Sequence, residues 1–149
     1  MDIISKERRS WNMSRIRSKD TRPEMLVRSM LERLRYRFRV YDRNLPGKPD
    51  IVLPRRRLAL FVHGCFWHRH RNCRFAYTPK SRVRFWQKKF RENVERDRLK
   101  AGALRKQGWR VRVIWECETR NLGLLEKRIQ AMVRALDQQN YQWRKKLTS

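Results

Sequence analysis

Apolar positions recur first at helical spacing. Thr21-Arg22-Pro23-Glu24 reads as a capping box with proline in the first turn, and Leu26, Met30, Leu31 and Leu34 behind it share one helical face. From Tyr36 to Tyr41 apolar residues alternate with arginine, the period of a half-exposed strand. Asn44-Leu45-Pro46-Gly47-Lys48-Pro49 is turn chemistry. It leads into a short strand from Asp50 to Leu53, which Pro54 ends, and then a second from Arg57 to Val62. His63 to Thr78 has no regular period and is crowded with His, Cys and aromatic residues. A long helix is predicted from a Ser81 cap to Gly108 at C′, with an inner stripe of Trp86, Phe90, Val94, Asp97, Ala101 and Leu104. Trp109 to Trp115 reads as a strand. Leu122, Leu125, Ile129, Met132 and Leu136 mark a final helix, and a basic, frayed tail follows over about 138–149. The order αβββαβα describes one α/β sandwich over residues 1–149. Its first three strands form a meander, and the long helix crosses over to the fourth.

Charge changes this picture more than composition does. Among 149 residues, 40 Lys+Arg against 14 Asp+Glu leave a formal charge of +26, so the surface must be densely basic. Six Trp, six Phe and four Tyr argue against a disordered basic tail, which lacks aromatics. Such a chain meets polyanions, and nucleic acid is the expected partner. An acidic small-molecule enzyme and a secreted disulfide scaffold are both disfavoured. The longest apolar run, Leu58 to Val62, is far short of the roughly 20 residues that span a bilayer, so no membrane association is expected. The first residues carry no apolar export signal. Three cysteines cannot all pair within the chain. The expectation is a cytoplasmic protein with thiols or metal-ligating cysteines.

His63-Gly64-Cys65-Phe66-Trp67-His68-Arg69-His70-Arg71-Asn72-Cys73 holds all three histidines and two of the three cysteines. The third, Cys117, follows the fourth strand, where a sheet can bring it beside this loop. Cys65, Cys73 and Cys117 with His70 would give zinc a closed tetrahedral set, because Cys-x4-His-x2-Cys lets a short loop fold round the ion. A closed site is structural, and so polar a loop would draw folding energy from the metal. The competing reading is buried free thiols with surface histidines.

In so basic a chain, acidic residues away from the surface are informative. Asp97 falls on the apolar stripe of the long helix, where it must be paired: with Arg96 or Arg98 in a structural role, or with a histidine in an acid–base dyad. Asp50 opens a strand after a positive turn. It is either a strand-initiating residue or a magnesium ligand facing phosphate. Glu24 has a sufficient reason in the capping box. His63 and His68 are the imidazoles that zinc does not need, free to move protons or simply to sit at the surface. Phe66 and Trp67 are core residues or a wedge between base steps, with Trp86 on the helix stripe behind them.

Several strings now resemble one family, the very short patch repair (Vsr) mismatch endonucleases. They are Phe61-Val62-His63-Gly64-Cys65-Phe66-Trp67-His68, Phe85-Trp86, Asn93-Val94-Glu95-Arg96-Asp97, Gly108-Trp109-Arg110-Val111 and Trp115-Glu116-Cys117. Asn12-Met13, Arg22-Pro23-Glu24 and Leu45-Pro46-Gly47-Lys48-Pro49-Asp50 fit as well, so the likeness spans about residues 6 to 135. The resemblance implies a restriction-endonuclease-like fold and magnesium-dependent nicking of one strand, 5′ of the thymine in a T:G mismatch. Such mismatches arise by deamination of 5-methylcytosine at a cytosine-5 methyltransferase site, CC(A/T)GG in the best-known members. Carried over residue by residue, Asp50 would ligate magnesium with the main-chain carbonyl of Val62, which stands where some members have Thr. His68 with Asp97 would be the acid–base dyad, with Glu24 and His63 supporting the water and the phosphate. Zinc would take Cys65, His70, Cys73 and Cys117, and Phe66, Trp67 and Trp86 would form the intercalating wedge. Lys89, Asn93 and Met13 would lie near the mismatch, with the segment over about 1–19 across the minor groove. The expected protein is a monomer near the nucleoid, linked in function to the methyltransferase and to mismatch-repair proteins. Two rivals remain: a non-catalytic basic zinc protein that binds nucleic acid, and a nuclease of the same fold acting on matched DNA.

Overall fold

In a computed structural model, residues 19–148 are described. Met13 and the segment expected to cross the minor groove lie outside them. Among the described residues the elements are α1 (Arg22–Arg33), β1 (Arg39–Val40), β2 (Ile51–Leu53), a 3-10 turn (Pro54–Arg56), β3 (Leu58–His63), α2 (Val83–Lys106), β4 (Arg110–Trp115), a second 3-10 turn (Glu116–Arg120) and α3 (Leu122–Thr148). The four strands form one open, mixed sheet in the order β1-β2-β3-β4. The first three pair antiparallel, with Arg39 opposite Val52 and Val52 opposite Ala59. β4 joins β3 in parallel, with Phe61 opposite Val113, after the α2 crossover.

Alternation along the buried strands divides the core between two faces. Ile51, Leu53, Leu58, Leu60 and Val62 face α1 and α3, packing with Val27, Leu31, Leu125 and Ile129. Val52, Ala59 and Phe61 point the other way and meet Leu104 of α2 and Val111. Every residue of β3 is buried, as a central strand covered on both sides requires.

Four expectations need correction. The strand expected over Tyr36–Tyr41 shrinks to Arg39–Val40, because Tyr41 turns into the left-handed region at φ 50° while Tyr36 and Phe38 lean into the α1/α3 core. Ser81 does not cap α2. Arg82 holds the N-cap position at φ 53°, without a side-chain cap. Val94 is 46% exposed despite its place on the stripe. α2 packs at its two ends, through Trp86 and Phe90 at one and Leu104 at the other. Its middle stands off the sheet over a groove lined by Val94, Phe61, Val113 and Trp115. Finally, the tail is helical to Thr148 rather than frayed. Arg110 donates to Leu136 O (3.1 Å) and Asn140 Oδ1 (2.7 Å), and Arg56 pairs with Asp137 (2.9 Å), so charged side chains anchor α3 beyond its apolar face.

Candidate active site

The antiparallel β2–β3 pair brings Asp50, at the start of β2, beside the end of β3. There the Val62 N–H donates to Asp50 Oδ2 at 2.8 Å. Burial pushes the Asp50 carboxyl up to about 6, the Val62 hydrogen bond opposes it, and the nearby Glu24 charge raises it further. Glu24 is itself 3% exposed. Thr21 Oγ1 accepts the Glu24 N–H at 3.3 Å, so the capping role is real. The Glu24 carboxylate, however, reaches past the cap to Asp20 N–H (3.0 Å) and accepts from Tyr41 Oη at 2.7 Å. Arg28 donates to the same Tyr41 oxygen at 2.8 Å and lies 3.4 Å from Glu24 Oε2. Burial and the Glu24 carboxylate hold the Tyr41 phenol up at about 12, so it remains a donor. The buried Glu24 carboxylate and the half-buried Asp50 carboxylate repel each other across one cleft, and their oxygens suit a hard divalent cation. Asp50, with the adjoining Val62 main chain, fits magnesium on those grounds.

The opposite wall carries the imidazoles. His68 Nδ1 meets Asp97 Oδ2 at 2.6 Å. The arginine alternative for Asp97 is not taken, because Arg98 pairs with Glu95 at 2.6 Å. His63, 7% exposed, stacks on His68 at 3.9 Å and 8°. Burial first, and then the neighbouring His68, depress its pKa to about 4, so its ring is neutral at neutral pH. Glu24, Asp50, His63, His68, Asp97 and Lys100 line one cleft of about 900 Å³. Gly47, at φ +75°, lets the turn before β2 close on α2. A Cβ there would sit 2.7 Å from Lys100 Cβ.

The loop between β3 and α2 carries the second cluster. Donor atoms of Cys65, His70, Cys73 and Cys117 lie within 4.8 Å of one another. His70 Nδ1 is 3.7 Å from Cys65 Sγ and 3.4 Å from Cys117 Sγ. Tetrahedral zinc, with metal–sulfur and metal–nitrogen bonds near 2.3 and 2.05 Å, requires sulfur–nitrogen separations of about 3.6 Å, so the set fits the ion. Burial pushes the Cys65 thiol up to about 12, and burial raises Cys117 as well.

Phe66 and Trp67 are half-buried, and each contacts Trp86 edge-on or tilted at 5.5 and 5.8 Å. Trp86 is 6% exposed, so it backs the pair instead of projecting with it, and its buried Nε1 has no hydrogen-bond partner among the described residues. Asn93 Nδ2 donates to Trp67 O at 3.2 Å, and Lys89 is half-buried on the same helix.

Sequence reasoning missed three further residues. Tyr41 and Arg28 fix Glu24. Arg69 ties the loop, donating to the carbonyls of Phe66 (3.2 Å), Ala76 (2.8 Å) and Tyr77 (3.0 Å) and lying 3.8 Å from the Phe90 ring centroid. Nothing distinguished Arg69 among so many basic residues, and no pattern marked Tyr41 as turning into the left-handed region.

The family profile described as DNA mismatch endonuclease Vsr matches residues 1–74. The type II nicking enzyme V.XorIIP of Xanthomonas oryzae pv. oryzae is 54% identical over 128 residues, 86% of this chain and 93% of that protein. This chain belongs to the Vsr family. The DNA mismatch endonuclease Vsr of Escherichia coli K12 is 44% identical over 119 residues, 80% of this chain and 76% of its own. The type II nicking enzyme V.NmeAIP of Neisseria meningitidis serogroup A is 42% identical over 135 residues, 91% and 96% of the two chains. As a Vsr protein the chain is a DNA endonuclease, a hydrolase of phosphodiesters. Among the described residues no helix is long and apolar enough to cross a membrane.

Proposed function

We propose that this endonuclease nicks one strand of duplex DNA on the 5′ side of the thymine in a T:G mismatch left by deamination of 5-methylcytosine. The observation that carries the reading is the 2.6 Å contact of His68 with Asp97 across a cleft from Asp50 and Glu24. With Nδ1 engaged by Asp97, His68 keeps Nε2 to take a proton from the attacking water. Neutral His63 donates a hydrogen bond toward the phosphate, and Glu24 orients the water. Asp50 and the main-chain carbonyl of Val62 would hold Mg²⁺, which neutralises charge on the phosphate when bound. Cys65, His70, Cys73 and Cys117 would hold a structural zinc that fixes the loop carrying His68. The sheet and helices would then be a restriction-endonuclease-like core.

Phe66 and Trp67, backed by Trp86, enter the duplex at the mismatch. A T:G wobble stacks less well than a matched step, so the wedge opens it at lower cost. Lys89, Asn93 and Met13 lie near the mismatched pair. Double-stranded DNA is met by a cytoplasmic monomer at the nucleoid, and the lesion ties it to a cytosine-5 methyltransferase and to mismatch repair.

The test is a nicking assay with Mg²⁺ on duplexes that differ only in T:G against C:G, beginning with CC(A/T)GG. Nicking confined to T:G is expected. Equal nicking of both points to a nuclease for matched DNA, and no nicking of either points to a non-catalytic basic zinc protein. Asp50→Ala should abolish cleavage and leave binding nearly intact; if both fall together, Asp50 is structural.

A further inference from the structure

His63 from the end of β3, His68 from the loop and Asp97 from α2 converge from three separate elements. One donor atom of each lies within 4.8 Å of the other two. Two imidazoles and a carboxylate suit Zn²⁺, Co²⁺ or Mn²⁺, whereas Mg²⁺ prefers oxygen ligands and gives up water reluctantly. The set faces the same cleft as Asp50, so a fourth position is open to solvent, unlike the closed Cys65, His70, Cys73 and Cys117 cluster.

We propose that His63, His68 and Asp97 form a second, exchangeable transition-metal site, and that Zn²⁺ bound there inhibits the nuclease. The inhibition rests on the reading of His68 and Asp97 as the acid–base pair, because a coordinated His68 loses the Asp97 contact that orients it. The stack sets how much must move. Two imidazole nitrogens on one zinc are about 3.3 Å apart, with both rings aimed at the ion. Here the rings lie parallel with centroids at 3.9 Å, so one must tilt. His68 is the one free to do so. It sits on a turn with its side chain 31% exposed, while His63 is packed against Trp115 at 5.4 Å and is 7% exposed. That rearrangement, the absence of thiolate ligands and the Lys100 charge on the cleft wall all make this site weaker than the cysteine cluster.

The experiment adds Co²⁺ to protein that retains its zinc and reads visible d–d absorption. The same protein is then titrated with Zn²⁺ during Mg²⁺-supported nicking of the T:G duplex. Wild type is expected to take up about one further equivalent of Co²⁺. Its absorption should lack the intense thiolate bands that exchange into the cysteine cluster would produce. His63→Ala and His68→Ala should lose that equivalent. So should the near-isosteric Asp97→Asn, while each variant keeps its zinc as evidence of folding. Zn²⁺ should lower the nicking rate at least tenfold at saturation, with the midpoint at which it displaces Co²⁺. No further equivalent in wild type, or one that survives in all three variants, overturns the site. Binding at the triad with an unchanged nicking rate overturns the inhibition. A protein that binds the second ion but nicks no duplex overturns the proposed function and upholds the metal site.

Discussion

Replacing Asp50 by Asn should stabilise the magnesium-free protein, although it removes the carboxylate proposed to hold the metal. Burial holds the Asp50 carboxyl at about 6 against an ordinary aspartate value of 3.8. A carboxylic acid with a raised folded-state pKa binds protons more tightly folded than unfolded, so it lowers stability as pH rises. The penalty begins near pH 4, grows until the folded-state group ionises near 6, and is complete above that. About two pKa units at 1.36 kcal/mol each make it roughly 3 kcal/mol at neutral pH. Asp50→Asn keeps the shape and an oxygen to accept the Val62 N–H, and it carries no charge to desolvate. Its advantage over the parent should therefore be about 3 kcal/mol at pH 7.5 and roughly half that at pH 5. Near neutral pH that corresponds to a rise in Tm on the order of 6–10 °C for a chain of this size.

Urea unfolding of both proteins at the two pH values measures the difference directly, and whatever the cysteine cluster holds, being common to both, cancels from it. Mg²⁺ should then raise the stability of the parent alone, because only the parent has the carboxylate to hold it. A variant no more stable than the parent at pH 7.5 would refute the reasoning. So would an advantage that does not change between pH 5 and pH 7.5. Either result would mean that Asp50 is well solvated or well paired and is not held ready for a cation.

Three other perturbations probe the supports of the site. Cys117→Ser should bring the metal content well below one zinc per chain and lower the thermal midpoint, as read by metal analysis and melting of the same sample. Tyr41→Phe removes the shortest hydrogen bond to the buried Glu24 carboxylate and should cost about 1–3 kcal/mol in urea unfolding; a cost near zero would show that Asp20 N–H and Arg28 suffice. Gly47→Ala places a methyl group at φ +75° and 2.7 Å from Lys100 Cβ, and should destabilise by about 1–3 kcal/mol in the same assay; an unchanged midpoint would mean the turn does not close on α2.

What could be read from the chain depended on how local the deciding interaction was. The Thr21 cap, the turn before Asp50 and the cysteine spacing all act over a few residues, and each left a pattern. The crossing of Cys117 to the loop needed only a fourth strand parallel to β3, which the long crossover helix made expected. By contrast, the partner of Asp97 was open between arginine and histidine, because Arg98 and His68 both satisfy its charge. Only the position of the loop against α2 decides for His68. Tyr41 and Glu24 are likewise distant in sequence, and their contact depends on a left-handed tyrosine that no pattern marks. Val94 misled for the same reason. Helical periodicity identifies the face turned to the sheet but not how closely the sheet approaches it.

The standoff of α2 also explains how one small sheet carries two polar clusters. An aspartate pressed against β3 and β4 would be desolvated with nothing to pair it. Where α2 lifts away, the loop enters between helix and sheet and supplies His68 to Asp97. The start of that loop is pinned by two turns, with Gly64 O accepting His68 N–H and Cys65 O accepting His70 N–H, each at 3.1 Å. Trp115, at the end of β4, stacks flat on His70 at 4.3 Å and meets His63 edge-on at 5.4 Å. One indole therefore touches both clusters, with Arg69 alone separating His68 from His70 along the chain. A displacement of His70 must be taken up by Trp115 or by the turn that sets His68. The cysteine cluster and the histidine–aspartate pair thus belong to one mechanical unit, built on the two parallel strands β3 and β4.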